Sequence, residues 1–495
     1  MGSVADLLLA RRLAPEEVKA LLRPYAFAEP LRADADLQAL AADPEARRLL
    51  ATLLPDVLES AGASADPDGA LSRFERFVRS AGSAVHTFSH LRADPRMTGV
   101  LLRALGASPF LAEVLIRHPA WMYWLSEAGV LERPRTARDV EGELRPGLAS
   151  LRSLEHRRSA LRLARRREAL HAGVRDLLGF ATVEETLLAL SDAADALIGA
   201  ALEAVREALP AANGAGGFVV LGLGKLAGRE LNFSSDVDLV YVYDDASQGD
   251  GQEALARGLT QALHDVDAEG RVYRVDLRLR PEGGAGRVAI AARAFVEYYA
   301  SRGATWERLA LLKARPVAGD LDLGWRCLEQ IAPFVYGRPF GEAELGDVRA
   351  IKLAIDRRVA ARSETERHVK LGRGGIREIE LVSQVLQLRH GADGSGPRTR
   401  GTSETLGALQ ALGALPEVQA RALQQAYTFL RDVENKLQMA TDAQTHVLPR
   451  DPVELRRLAL RLGRRDDAGS VEDAFRHEYA RHTDAVHAVF ARVIA

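Results

Sequence analysis

The sequence predicts an α+β fold, predominantly helical, with a small mixed sheet held between helical regions. Three observations carry this reading. From Met1 to about Gly199 apolar residues recur at three- and four-residue spacing, as in Phe110, Leu111, Val114, Leu115 and Trp121, the period of an amphipathic helix. The same spacing returns from about Gly346 to the end. Between the two lie three short runs of strand character, Phe218 to Leu221, Val237 to Val242 and the strictly alternating Val272 to Leu279.

The elements follow in order. Loops at Ser64 to Gly69 and Arg133 to Arg135 punctuate the first helical region, and a long basic helix is predicted over Leu151 to Leu178. The stretch Asn213 to Gly217 marks the change to strand texture, and a loop from Gly391 to Gly401 interrupts the last helical region. These shifts divide the chain into an N-terminal helical region (1–155), a central catalytic domain (156–340) and a C-terminal helical bundle (341–495). No internal repeat is visible.

A chain of 495 residues has the length of two to four domains and ample core to bury. With 66 basic against 68 acidic residues, its net charge of -2 argues against nucleic acid or an anionic membrane as a partner. No apolar run approaches the roughly 18 residues needed to span a bilayer, and Met1 to Ala10 lacks the basic start of a secretion signal. The single cysteine, Cys327, excludes an internal disulfide and a cysteine zinc site, so a cytoplasmic location is expected. Only six of the basic residues are lysine, in keeping with a coding bias toward arginine. Three of them, Lys225, Lys313 and Lys370, fall in or beside the motifs below.

The chemistry is expected in the middle. Leu221-Gly222-Leu223-Gly224-Lys225 runs from a strand into a glycine turn, and Asp236-Val237-Asp238 opens the next strand. Strand side chains alternate, so Asp236 and Asp238 share a face, about 7 Å apart, while Val237, Leu239 and Tyr241 pack on the other. Two such carboxylates suit Mg²⁺, or Mn²⁺, with a substrate phosphate. On Val272 to Arg280 one face carries Arg274, Asp276, Arg278 and Arg280. Three carboxylates for metal, a glycine turn and nearby cations describe a nucleotidyl-transfer site. A Walker A loop is excluded because Leu226 follows the lysine, and the second strand begins too soon for a Rossmann crossover. The plain alternative makes the aspartates turn residues at a strand start.

Downstream, Trp306-Glu307-Arg308 and Lys313-Ala314-Arg315 read as a helix bringing cations back toward the sheet. Lys370-Leu371-Gly372-Arg373-Gly374-Gly375 then precedes a helix reaching about Leu388, where Gly372, Gly374 and Gly375 suit an anion. On that helix Glu378 falls inside the apolar arc and Glu380 lies opposite. A carboxylate in an apolar interface is either paired, here expected with an arginine, or functional, and Glu378 admits both readings. His86 and His90 have metal spacing without a visible third ligand, and His477, His482 and His487 are expected to face solvent.

Taken together in order, Gly222 to Leu239, Tyr273 to Pro281, Tyr298 to Asp320 and Lys370 to Glu380 resemble the bifunctional glutamine synthetase adenylyltransferase/adenylyl-removing enzymes, of the polymerase-beta-like nucleotidyltransferase superfamily. Weaker similarity reaches Phe110 to Pro119 and Arg165 to Leu178. That family has two catalytic halves, and this chain is long enough for one. Glu230 to Ser235 and Gly374 to Glu380 resemble the N-terminal, adenylyl-removing half; the adding half more often has Asp in place of Glu378.

The resemblance implies phosphorolysis of adenylyl-tyrosine on glutamine synthetase, releasing ADP, with Mg²⁺ as cofactor. It also implies inorganic phosphate and ADP or ATP as ligands, with a PII signal protein as a further candidate partner. Asp236, Asp238, Asp276 and Glu378 would be catalytic, the three aspartates as metal ligands. Gly224, Lys225, Arg229, Ser235, Arg278, Arg280, Lys313 and Lys370 would approach the nucleotide and phosphates. The alternatives are ATP-dependent adenylylation of a protein tyrosine and a catalytically silent regulatory module.

Overall fold

The structure is a computed structural model that describes residues 3–10, 13–209, 217–247, 249–392, 394–465 and 469–494. Its sheet comprises β1 (Phe218–Leu223), β2 (Val237–Tyr243), β3 (Val275–Asp276), β4 (Ala289–Ala291) and β5 (Arg315–Gly319). Every residue of β1 is buried, because β2 and β5 flank it, both antiparallel. Along the far edge of β2 run β3 and β4, both parallel to it, giving a mixed sheet ordered β3-β2-β1-β5 with β4 also on β2.

Strand alternation splits the hydrophobic interior in two. Phe218, Val220, Leu239 and Tyr241 face a core built with the N-terminal helices and with α1 (Leu154–Leu177) and α2 (Val183–Ala208). Val219, Leu221, Leu223, Val240 and Val242 face a second core. That one is shared with α3 (Glu342–Ala360), α4 (Ile376–Arg389), α5 (Glu417–Thr441) and α6 (Val471–Val493). Local signals set the helix ends: Ser153 caps α1 through the His156 N–H, and Thr182 with Glu185 forms a capping box on α2. No described helix is long and apolar enough to cross a membrane.

Three expectations are corrected. The basic helix runs from Leu154 to Leu177, and several of its arginines turn inward: Arg162, Arg165 and Arg175 are buried and donate to the carbonyls of Asp265, Phe233 and Leu131. The alternating run Val272 to Leu279 contributes only Val275–Asp276 to the sheet. There the Asp276 carboxylate accepts the Arg278 N–H at 2.8 Å and turns the chain away. His482 is buried against Phe429, rings 4.6 Å apart, and His487 reaches Glu378. His86 and His90 pack on Tyr123. The texture change expected at Asn213 to Gly217 lies outside the described residues except for Gly217.

Candidate functional site

Asp236 lies immediately before β2, and Asp238, on β2, stands opposite Asp276 of β3 in the strand register. Gly224, at the end of β1, has φ +55°, and a Cβ there would fall 2.4 Å from Asp238 Oδ2. Only glycine both adopts that backbone and leaves the carboxylate its place. In front of these residues opens a basin of about 590 Å³, closed by the Thr305–Leu311 helix and by α3, α4 and α5. Gly224, Lys225, Ser235, Asp236, Asp238, Asp276, Arg278, Lys313 and Lys370 all line it.

The carboxylates feel one another. Burial, Asp276 and Asp236 push the Asp238 carboxyl up to about 6, against the pull of Lys370 and Lys225. The Arg278 guanidinium, hydrogen-bonded to Asp276, holds that carboxyl below the usual range. Asp236 accepts Arg274 Nε at 2.5 Å on one oxygen and Gln444 Nε2 at 3.1 Å on the other. Among the described residues no three metal-ligating groups converge, because Asp236 and Asp276 are turned onto their arginines. The donor set nonetheless fits a divalent cation. It supplies three carboxylates whose mutual repulsion such an ion would relieve, in competition with Arg274 and Arg278.

Most cations of the basin are already matched. Lys225 Nζ sits 2.9 Å from Glu434, Lys313 Nζ lies 2.7 Å from Glu230 and 2.8 Å from Thr402 Oγ1, and Arg377 is 3.2 Å from Glu380. Burial lowers the Lys225 ammonium to about 7 despite Glu434. Burial would raise Glu380, yet Arg377, Lys313 and Lys370 hold it down at about 2. Among the described residues the Lys370 side chain has neither a hydrogen bond nor an ion pair.

Beneath the floor lies a charged network that the sequence reading missed. Glu434, fully buried on α5, accepts from Lys225 and from Asn232 Nδ2 at 2.7 Å, forms an ion pair with Arg431 at 3.1 Å, and contacts His446 at 2.8 Å. Burial works against its charge, but Lys225, Arg431 and His446 keep it well below the usual carboxylate range. Arg431 donates to the Glu230 carbonyl and to Asn232, so α5 fixes the loop that delivers Ser235 and Asp236. One signal was available in the sequence: Leu430, Val433, Glu434 and Leu437 form a helical stripe in which Glu434 occupies an apolar position. Glu380, Gln384, Gln438, Gln444 and Arg377 also line the basin.

Three expected residues stand elsewhere. Arg229 pairs with Asp192 at 2.8 Å outside the basin. Arg280 folds onto the carbonyls of Leu277 and Gly286, at 2.8 and 3.1 Å, bracing the turn after β3. Glu378 faces away from the basin, with Lys352 at 3.0 Å and His487 at 3.1 Å. Its partners are a lysine and a histidine, not the expected arginine, and Glu380 takes the basin side of α4.

A mixed sheet with one carboxylate just before and one on a strand, a third on its neighbour and a glycine turn beside them defines a nucleotidyltransferase-type domain in a predominantly helical α+β chain. Residues 98–330 match the family described as glutamate-ammonia ligase adenylyltransferase, and residues 349–494 match GlnD PII-uridylyltransferase. The chain is homologous to enzymes named bifunctional glutamine synthetase adenylyltransferase/adenylyl-removing enzyme. With that of Xanthomonas campestris pv. campestris (strain B100) it shares 39% identity over 80% of this chain and 42% of the relative. With that of Thioalkalivibrio sulfidiphilus it shares 38% over 80% and 42%, and with that of Rhizobium meliloti 38% over 77% and 41%. The chain thus spans about two fifths of the length of the curated relatives it matches.

Proposed function

We propose that this chain removes AMP from an adenylylated tyrosine of glutamine synthetase by phosphorolysis. The observation that carries the reading is the basin itself, where three carboxylates face Lys370, a cation without an ion-pair partner among the described residues. An oxygen of inorganic phosphate attacks the α-phosphorus, the bond from phosphorus to the tyrosine oxygen breaks, ADP forms, and the phenolate takes a proton from water. Phosphate at neutral pH is already nucleophilic, so alignment and charge neutralisation supply most of the rate.

In this scheme Lys370, with Arg377 and Lys313 beside it, holds the incoming phosphate. Gly224 lets the adenylyl phosphate approach Asp238, and Arg278, held on Asp276, offers its guanidinium at the rim, where its side chain is 83% exposed. Asp236, Asp238 and Asp276 would hold magnesium, or manganese, which when bound offsets the negative charge of the reacting phosphates. The resemblance of Glu230 to Ser235 and of Gly374 to Glu380 to the removing half supports this direction over addition. A PII signal protein as regulator and the cytoplasm as location complete the proposal.

ATP-dependent adenylylation is the second reading, favoured by the relatives' names, which cover both reactions. Adenylylated glutamine synthetase incubated with the chain, Mg²⁺ and phosphate is expected to yield ADP and free tyrosine. Radiolabelled ATP offered with unmodified glutamine synthetase is expected to leave no label. Stable label on a tyrosine at a rate equal to or above phosphorolysis would reverse the direction.

A further inference from the structure

Behind the carboxylates lies a second cavity of about 240 Å³, between α1, the loop before β2 and the segment leading into β3. Four guanidiniums, those of Arg165, Arg166, Arg271 and Arg274, line it against only two carboxylates, Glu269 and Asp442. Glu269 is already engaged, 3.3 Å from Arg166 Nε and 3.2 Å from His118 Nε2. Arg165 is 92% buried, since its exposure is 8%. It donates to the Phe233 carbonyl and lies 5.2 Å over the Tyr273 ring, yet its buried Nε has no hydrogen-bond partner. Among the described residues the Arg271 side chain forms neither a hydrogen bond nor an ion pair.

A buried N–H without an acceptor, here Arg165 Nε, set where positive charge is in excess, is costly unless a ligand satisfies it. We infer that this cavity binds a small oxyanion, a phosphate-type or carboxylate group, and that the anion competes with Asp236 for Arg274. Arg274 is placed for that exchange. Its Nε reaches Asp236 Oδ1 at 2.5 Å, and its Nη2 reaches the Ser234 carbonyl and, at 3.1 Å, the Ser234 hydroxyl, all beside the cavity. Occupancy draws the guanidinium off the carboxylate, so anion binding here and cation binding at Asp236 favour each other, each to the same degree. The anion site stands independently of the proposed reaction, whereas its coupling to Asp236 rests on the metal role proposed above.

The test titrates sulfate into the full chain by calorimetry at constant ionic strength, without nucleotide or metal. Saturable binding is expected, retained in Lys370→Ala and weakened about tenfold or more in Arg271→Ala, since a charge-assisted hydrogen bond is lost. The Arg271 side chain forms no hydrogen bond or ion pair among the described residues, so the variant is expected to keep its structure, which its melting curve checks. Parallel titrations with phosphate and succinate, the first also in Lys370→Ala, decide between phosphate-type and carboxylate ligands. Absence of saturable binding, or binding lost in Lys370→Ala and unchanged in Arg271→Ala, overturns the site. Mg²⁺ is then titrated with and without sulfate: tighter binding with sulfate in the native chain but not in Arg271→Ala is expected, and equal affinity overturns the coupling. These readouts are of binding, so a failed phosphorolysis assay leaves them intact.

Discussion

Glu378→Gln and Glu380→Gln, two residues apart on one helix, are expected to fail in opposite ways. Glu378 is fully buried and joins three helices, through Lys352 of α3 and His487 of α6. Lys352 is itself only 8% exposed and lies 5.6 Å over the Phe490 ring, so removing the carboxylate leaves an ammonium in an apolar setting. Breaking a buried pair costs about 3–5 kcal/mol. Because Lys352 keeps Asp356 at 2.5 Å, the lower end, about 3 kcal/mol, applies here. For a cooperative unit of roughly 150–250 residues that lowers the melting temperature by about 6–12 °C. Turnover at a temperature well below melting stays within about threefold, since no atom of the basin moves. In Glu380→Gln melting changes less, but Arg377, 3.2 Å away, loses the partner that aims it, and misplacement of a positioning group costs on the order of a hundredfold in kcat/KM. Melting curves and ADP release from adenylylated glutamine synthetase, run on both variants, decide. A Glu378→Gln chain that melts like the native one, or loses more turnover than Glu380→Gln, would refute the assignment of faces.

Asp236→Asn and Asp238→Asn are expected to lower turnover about a thousandfold with unchanged melting, as for loss of a main charge-stabilising group; a loss of tenfold or less would sink the metal role. Gly224→Ala must place a Cβ 2.4 Å from Asp238 Oδ2 at φ +55°. Roughly 1–2 kcal/mol of stability and most activity should go, and native turnover would show that the turn tolerates a side chain. His171, buried with Nε2 at 2.7 Å from the Val130 carbonyl, is held neutral, its pKa lowered by burial to about 4. The unfolded chain takes up that proton from about pH 6.5 and the folded chain only near pH 4, so this stability is present above pH 6.5 and lost as pH falls. The loss, up to about 3 kcal/mol, should flatten in His171→Gln when melting temperature is followed against pH.

What the sequence determined by itself is what the backbone fixes. Alternation along β2 decided that Asp238 shares a face with Val240 and Val242, opposite Leu239 and Tyr241, and the two cores divide on that line. An aspartate has a short side chain, so its reach is limited by its Cα; the strand register sets Asp238 opposite Asp276 with Asp236 just before β2, while the pairing of Asp236 with Arg274 and of Asp276 with Arg278 decides where those two carboxylates turn. The glycine at 224 was legible for the same reason. Long side chains escape such rules. Arg280 and Arg274 both belong to one alternating run, but the turn at Asp276 ends the strand, and each guanidinium goes to the acceptor within reach: Gly286 for one, Asp236 for the other. On α4 the period correctly set Glu378 and Glu380 on opposite faces. It did not reveal which faced the basin, because every residue from Glu378 to Leu388 is buried and the contrast between an apolar and a solvent face is gone. The network of Glu434, Arg431 and Lys225 joins residues some 200 positions apart. Only packing α5 under the glycine turn brings those charges within hydrogen-bond distance, and in a buried setting that proximity decides which of them remain charged.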